Sequence, residues 1–254
     1  MEETHSSTRQ IYFVLPIYNE EAALGSLLET LAATKLPCPS TVVAINDGSK
    51  DRSAAILEEA AAKYAIKIIT HNPNRGIPGV FKSALEYLVP ILDDDDTVII
   101  MESDHTSDPA LIPQLVERIA AGCDIVIASR HVPGGAYVRF PWFRTAASSL
   151  VNLALQILLR LPDVEDYTIF YRAYRGALLK KGFGKGEIIF KARRSFAVNG
   201  ELLLILAAYK PRIEEIPLRY DYGLKSSPSS MPLFATLLEY GRLATIYAFK
   251  KPGH

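Results

Sequence analysis

The 254-residue chain has little of what marks an exported, disulfide-stapled or membrane-spanning protein. Its two cysteines, Cys38 and Cys123, lie far apart and without a ligand pattern. That excludes a disulfide framework and a cysteine zinc site and makes a reducing compartment the default. The five histidines form no cluster, and 28 Lys+Arg against 28 Asp+Glu give a net charge of zero. No global field therefore draws the chain to nucleic acid, and any electrostatic function must be local. No apolar run reaches the ~18 residues of a spanning helix, and residues 1–10 lack the apolar core of a secretory signal. The expectation is a cytoplasmic protein that meets a membrane, if at all, from its surface. What is present is 49% hydrophobic and 22% charged, too apolar for a disordered chain and long enough for one α/β domain, with or without an appendage.

Residues 10–16 form a β-branched and aromatic run closed by Pro16, and residues 19–34 carry apolar side chains at helical spacing. The same strand-then-helix rhythm recurs with strands at 40–46, 66–70, 97–101 and 124–129 and helices at 51–64, 79–92 and 109–121. Near-continuous apolar strands alternating with helices predict a mostly parallel sheet covered on both faces. Beyond Ser129 the rhythm changes. A Gly- and Pro-rich stretch at 131–141 precedes a long apolar helix at 143–161, then a strand at 166–175, a helix at 200–209, a last strand at 213–222 and an amphipathic helix at 232–251.

In open parallel sheets ligands bind beyond the carboxyl ends of the strands. The loops there are Pro16-Ile17-Tyr18-Asn19-Glu20-Glu21, Asn46-Asp47-Gly48-Ser49-Lys50-Asp51, Asn74-Arg75-Gly76 and Glu102-Ser103-Asp104. Taken alone, Asp47-Gly48-Ser49 reads equally as a turn that opens a helix, and Asn74-Gly76 as an ordinary turn. In this order and spacing the four together resemble a family 2 glycosyltransferase of the GT-A fold. The segments Ala128-Ser129-Arg130, 166–172 and Glu215-Ile216-Pro217 resemble its dolichol-phosphate mannose synthase branch.

The resemblance implies a GT-A domain over residues 1–225 and an amphipathic tail over 226–254. It implies transfer of a sugar, with mannose from GDP-mannose as the lead donor, onto a polyprenyl phosphate. Pro16, Tyr18, Glu20, Ile45 and Asp47 are then expected to hold the donor nucleotide, with Asn74, Glu102, Ser103, Asp104, Arg130 and Lys225 completing the nucleotide-sugar site. Two carboxylates two residues apart at a strand end can share one divalent cation that neutralises a departing diphosphate. Glu102 and Asp104 are the expected ligands for Mg²⁺ or Mn²⁺, with Thr106 as a third. The family usually has Asp where Glu102 stands. Arg130 and Arg144 are expected to take the acceptor phosphate, since guanidinium reaches two oxygens at once. Asp166 sits where the family keeps an acid near the sugar and is the candidate base for a hydroxyl acceptor. The basic motif after the last strand is shortened here, leaving Lys225 or Arg219 to replace it.

Residues 146–159 are apolar apart from Ser148, Ser149, Asn152 and Gln156, too short to span a membrane but able to lie in its interface with the tail helix. Packing on the sheet or on a second subunit is the alternative. The expected partners are a nucleotide-sugar, a polyprenyl phosphate, the cytoplasmic face of a membrane reached peripherally, and a partner subunit or second copy, but not nucleic acid. Two further readings are a UDP-sugar transferase acting on a hydroxyl and a nucleotide-binding subunit without turnover.

Overall fold

The computed structural model describes residues 9–159, 161–193, 196–225 and 233–248. In chain order the strands and helices are β1 (Ile11–Ile17), α1 (Glu21–Ala33), β2 (Ser40–Asn46), α2 (Ser53–Ala61), β3 (Ile66–Thr70), α3 (Gly76–Leu88), β4 (Thr97–Ile100), α4 (Ile112–Ala120), β5 (Ile125–Ser129), β6 (Ala136–Val138), α5 (Trp142–Leu159), β7 (Arg172–Arg175), α6 (Gly176–Phe183), α7 (Val198–Ala207), β8 (Ile213–Pro217), β9 (Arg219–Asp221) and α8 (Leu233–Ala248).

Seven strands make one sheet in the order β3-β2-β1-β4-β7-β5-β8. β1 pairs in parallel with β2 and β4, and β5 in parallel with β8. Every residue of β4 and β5 is buried, so helices cover both faces, and the apolar runs without alternation follow from that. The expected strand at 166–175 is corrected to Arg172–Arg175, and it runs antiparallel to both β4 and β5. Residues 166–171 instead form a loop held by side chains. Arg172 is fully buried in this central strand. Its Nη1 donates to the Asn199 carbonyl at 2.9 Å and its Nη2 to the Asp166 carbonyl at 3.1 Å, so two of its three nitrogens are partnered by backbone, while Nε is buried without a hydrogen-bond partner.

The expected strand at 213–222 divides at Pro217. Its second half, β9, leaves the main sheet and pairs with β6 in a two-stranded parallel ribbon. A fork from Arg139 to Asp221 joins the two. The last helix docks on α5 and α7. Leu243 and Tyr240 are buried there, and the Tyr247 hydroxyl donates to Glu201 Oε1 at 2.8 Å. The basic end expected of this helix, Lys250 and Lys251 with Phe249, lies outside the described residues.

Candidate active site

The loops that follow β1, β2 and β4 lock to one another through side chains that bond backbone. Asn19 N–H donates to Ser49 Oγ (3.1 Å), Glu20 N–H to Ser53 Oγ (3.0 Å) and Glu21 N–H to Asp51 Oδ2 (3.0 Å). In return Lys50 N–H donates to Asn19 Oδ1 (2.8 Å) and Arg52 N–H to Glu21 Oε2 (2.9 Å). The β4 loop joins through Ser103, whose hydroxyl donates to the Pro16 carbonyl at 2.8 Å. The short polar residues of these motifs therefore serve as braces, and what they brace is a cleft lined by Pro16, Tyr18, Glu20, Asp47, Glu102 and Asp104.

Asp47 is buried and at the centre of the bracing. Its Oδ1 accepts from His71 Nδ1 (2.7 Å) and Arg75 N–H (2.8 Å), and its Oδ2 from Gly76 N–H (2.9 Å). Asn74 does not line the cleft; its amide donates to the Asp47 carbonyl at 2.8 Å, so it supports the loop. Ile45 is fully buried in β2, so only its backbone remains for a ligand. His71, which sequence reasoning left aside, is among the most enclosed polar groups at 2% exposure.

At the end of β4, Asp104 is buried. Its Oδ1 accepts from the Thr106 amide (3.2 Å) and hydroxyl, and its Oδ2 pairs with the Lys225 ammonium. Glu102 bonds Ser107 Oγ. Burial first, and then the Asp104 charge, push its pKa up to about 6. Two carboxylates repel unless a cation lies between them, and Lys225 shows that Asp104 presents an edge that a cation takes. Among the described residues no third His, Cys, Asp or Glu joins them. A divalent ion here would complete its shell with substrate phosphate and water, as Mg²⁺ commonly does, so the donor set fits the expected metal.

Arg130 and Asp166 are brought together, but not as sequence reasoning expects. Arg130 Nε donates to Asp166 Oδ2 (2.8 Å) and Nη2 to Oδ1 (2.7 Å), while Nη2 also reaches Thr168 Oγ1 (2.6 Å). Tyr137 and Tyr220 lie over the guanidinium, 4.9 and 5.6 Å from their ring centres. Burial would raise the Asp166 pKa, but the Arg130 charge and its bonds outweigh burial and hold the carboxyl well below the usual range. An acid so held is a poor proton acceptor, and the fork of Arg130 is already engaged rather than offered to a phosphate. Arg144, from α5, lines the same cleft. Arg219 is exposed on β9.

Sequence reasoning missed the aromatic roof. Phe140 packs on Tyr220 and Tyr222 at centroid distances of 5.7 and 5.0 Å, and all three line the cleft. Its signal was the alternating Tyr220-Asp221-Tyr222 after Pro217. The cleft also has an apolar flank that includes Val80, Val151, Phe170, Phe196 and Tyr240.

The family model for glycosyl transferase family 2 matches residues 12–183. The chain belongs to this family. Dolichol-phosphate mannosyltransferase of Pyrococcus furiosus is 26% identical over 247 residues, covering 95% of this chain and 64% of that protein. Undecaprenyl-phosphate 4-deoxy-4-formamido-L-arabinose transferase of Pseudomonas aeruginosa is 35% identical over 172 residues, covering 66% of this chain and 47% of that protein. The family 2 chain thus spans about half to two thirds of the length of these relatives. Among solved structures, glucosyl-3-phosphoglycerate synthase of Mycobacterium tuberculosis with Mn²⁺, UDP and phosphoglyceric acid superposes with a TM-score of 0.67 at 17% identity, over 96% of this chain and 80% of that one. Its complex with Mg²⁺ and UDP gives 0.65. The expected GT-A architecture is therefore the one observed.

Proposed function

We propose that the chain is an inverting, metal-dependent glycosyltransferase that moves a sugar from a nucleoside diphosphate onto a polyprenyl phosphate at a membrane surface. The observation that carries the acceptor reading is the orientation of α5. Its polar residues face the protein. Ser148 Oγ accepts from the Tyr137 hydroxyl (2.8 Å), Asn152 bonds His131 and the Tyr167 amide (2.9 and 2.8 Å), and Gln156 donates to the Glu165 carbonyl (3.2 Å). Leu150, Leu153 and Ile157 point outward at 53–67% exposure. A helix with its polar stripe inside and its apolar stripe outside fits a lipid interface. No helix among the described residues is long and apolar enough to cross a membrane.

In this reading Pro16, Tyr18, Glu20 and Asp47 hold the nucleotide. Glu102, Asp104 and Thr106 would hold Mg²⁺ or Mn²⁺, which supplies neutralising charge to the leaving diphosphate. Lys225 adds a second cation to that charge, and Arg144 orients the acceptor phosphate. An acceptor phosphate oxygen forms the bond to the anomeric carbon as the bond from that carbon to the diphosphate breaks, and the electron pair leaves with the nucleoside diphosphate. The acceptor is already an anion near neutral pH, so no base is required. The commitment of Asp166 to Arg130 is consistent with that. GDP-mannose is the donor implied by the dolichol-phosphate branch, whereas the geometry around Asp47 argues for another base.

The test is transfer of radiolabel from UDP- and GDP-sugars, with Mn²⁺, to undecaprenyl phosphate and to the free polyprenol. Label in a phosphate-linked lipid supports the proposal. Label only in the polyprenol, or in neither lipid, overturns it.

A further inference from the structure

His71 sits between two polar groups on different elements. Its Nδ1 bonds Asp47 Oδ1 at 2.7 Å and its Nε2 bonds Ser83 Oγ, on α3, at 2.9 Å. His71 and Ser83 are both buried. A carboxylate only accepts hydrogen bonds, so Nδ1 presents its N–H to Asp47, while Nε2 is held by the serine hydroxyl, which can serve it as donor or acceptor. With both ring nitrogens engaged, the imidazole cannot turn away to release Oδ1.

A carboxylate offers about four acceptor positions. At Asp47, His71 and the Arg75 amide fill two on Oδ1, and the Gly76 amide fills one on Oδ2. One position, on Oδ2, is left for a ligand in the cleft that Asp47 lines. The two candidate bases differ here. Uracil in a nucleotide presents a single ring N–H between two carbonyls. Guanine presents a ring N–H and an exocyclic NH₂ side by side, a two-donor edge that needs both carboxylate oxygens. The second oxygen, Oδ1, is already filled by His71 and the Arg75 amide.

From this geometry we infer that His71, locked by Ser83, is a specificity-determining residue: it consumes the acceptor position that guanine would need and makes the donor a uridine nucleotide. The inference rests on the donor-site reading of Asp47 proposed above. A buried donor without a partner is costly, and exclusion of a two-donor base by a one-acceptor site follows from that.

The test is calorimetric titration of the full chain with UDP and with GDP, each with Mn²⁺. UDP is expected to bind at least about tenfold more tightly. His71→Asn places an amide N–H near the position of Nδ1 and keeps that preference. His71→Phe removes the donor, frees a position on Oδ1 and narrows the UDP-to-GDP ratio to within about threefold. Ser83→Ala, a milder change, narrows the ratio in the same direction if the phenylalanine variant does not fold. GDP binding as tightly as UDP to the unaltered protein overturns the inference. So does an unchanged ratio in folded His71→Phe or, where that variant does not fold, in Ser83→Ala. Failure of both nucleotides to bind the unaltered protein overturns the donor-site reading itself, a result distinct from binding without discrimination.

Discussion

Asp104 meets a cation on one oxygen and a hydroxyl on the other, and the two contacts divide its work. Replacing it with Asn keeps the size and the Thr106 contact but removes the charge. Asp104→Asn is expected to lose Mn²⁺ binding and to reduce transfer by more than the ~10–100-fold typical of residues that only support a ligand. Electron paramagnetic resonance of Mn²⁺ and the label assay measure the two effects, and near-normal binding would remove Asp104 from the metal site. Asp166 makes the opposite kind of contribution. Removing one partner of a buried ion pair strands the other, so Asp166→Asn should cost about 3–5 kcal/mol in urea unfolding. The pH dependence has a definite sign. A carboxyl whose folded pKa is depressed stabilises the protein above its unfolded pKa of ~3.9, and that contribution disappears as pH falls toward the folded value. Urea midpoints should therefore drop more steeply below about pH 4 in the unaltered protein than in Asp166→Asn. The sequence marked Asp104 through its loop at a strand end and Asp166 through the family resemblance. It did not reveal their partners, because Lys225 lies 121 residues from Asp104 and Arg130 lies 36 from Asp166, and such pairing is fixed by the fold.

At the scale of elements, α5 and the β6–β9 ribbon carry separable predictions. Replacing Leu150, Leu153 and Ile157 together with Gln should leave the melting temperature within a few degrees, because exposed positions contribute little to stability. The same change should abolish co-sedimentation with anionic vesicles, and retained sedimentation would remove α5 from the lipid interface. β6 depends on Gly135: a Cβ there would lie 2.5 Å from the Ser129 carbonyl oxygen and 2.9 Å from the Arg130 carbonyl carbon. Both neighbours are backbone and cannot rotate aside. Gly135→Ala should lower stability by roughly 1–3 kcal/mol and reduce transfer, since the ribbon carries Tyr220 over the cleft. Differential scanning calorimetry and the label assay check the two. The rhythm of strands and helices as far as Ser129 was legible, because each element there has its own apolar period. The direction of β7 and the departure of β9 from the sheet were not. A four-residue and a three-residue strand hold too little local information to choose a partner, and the burial of Arg172 was not legible because its acceptors are backbone carbonyls that no side-chain pattern announces.

Two connections tie distant parts of the whole molecule together. α8 covers α7 as well as α5, and with Tyr247 it completes the bonding of Glu201, whose carboxylate also accepts from the Lys191 and Ala192 amides at 2.7 Å. A chain ending at residue 225 should therefore be less stable by several kcal/mol, with about 1.5–3 kcal/mol for each large apolar side chain it no longer buries; an unchanged melting temperature would mean that the tail is dispensable. The sheet has a second dependency. β3, β2, β1 and β4 form one block, β5 and β8 another, and among the described residues β7 is the strand that hydrogen-bonds to both. During synthesis the first block can assemble once residue 100 is available, whereas β5 has no sheet neighbour until residues 172–175 emerge. The central place of that one strand thus makes the order of pairing discontinuous: β5 is made well before its first partner strand, and β8 joins the sheet only when residues 213–217 follow.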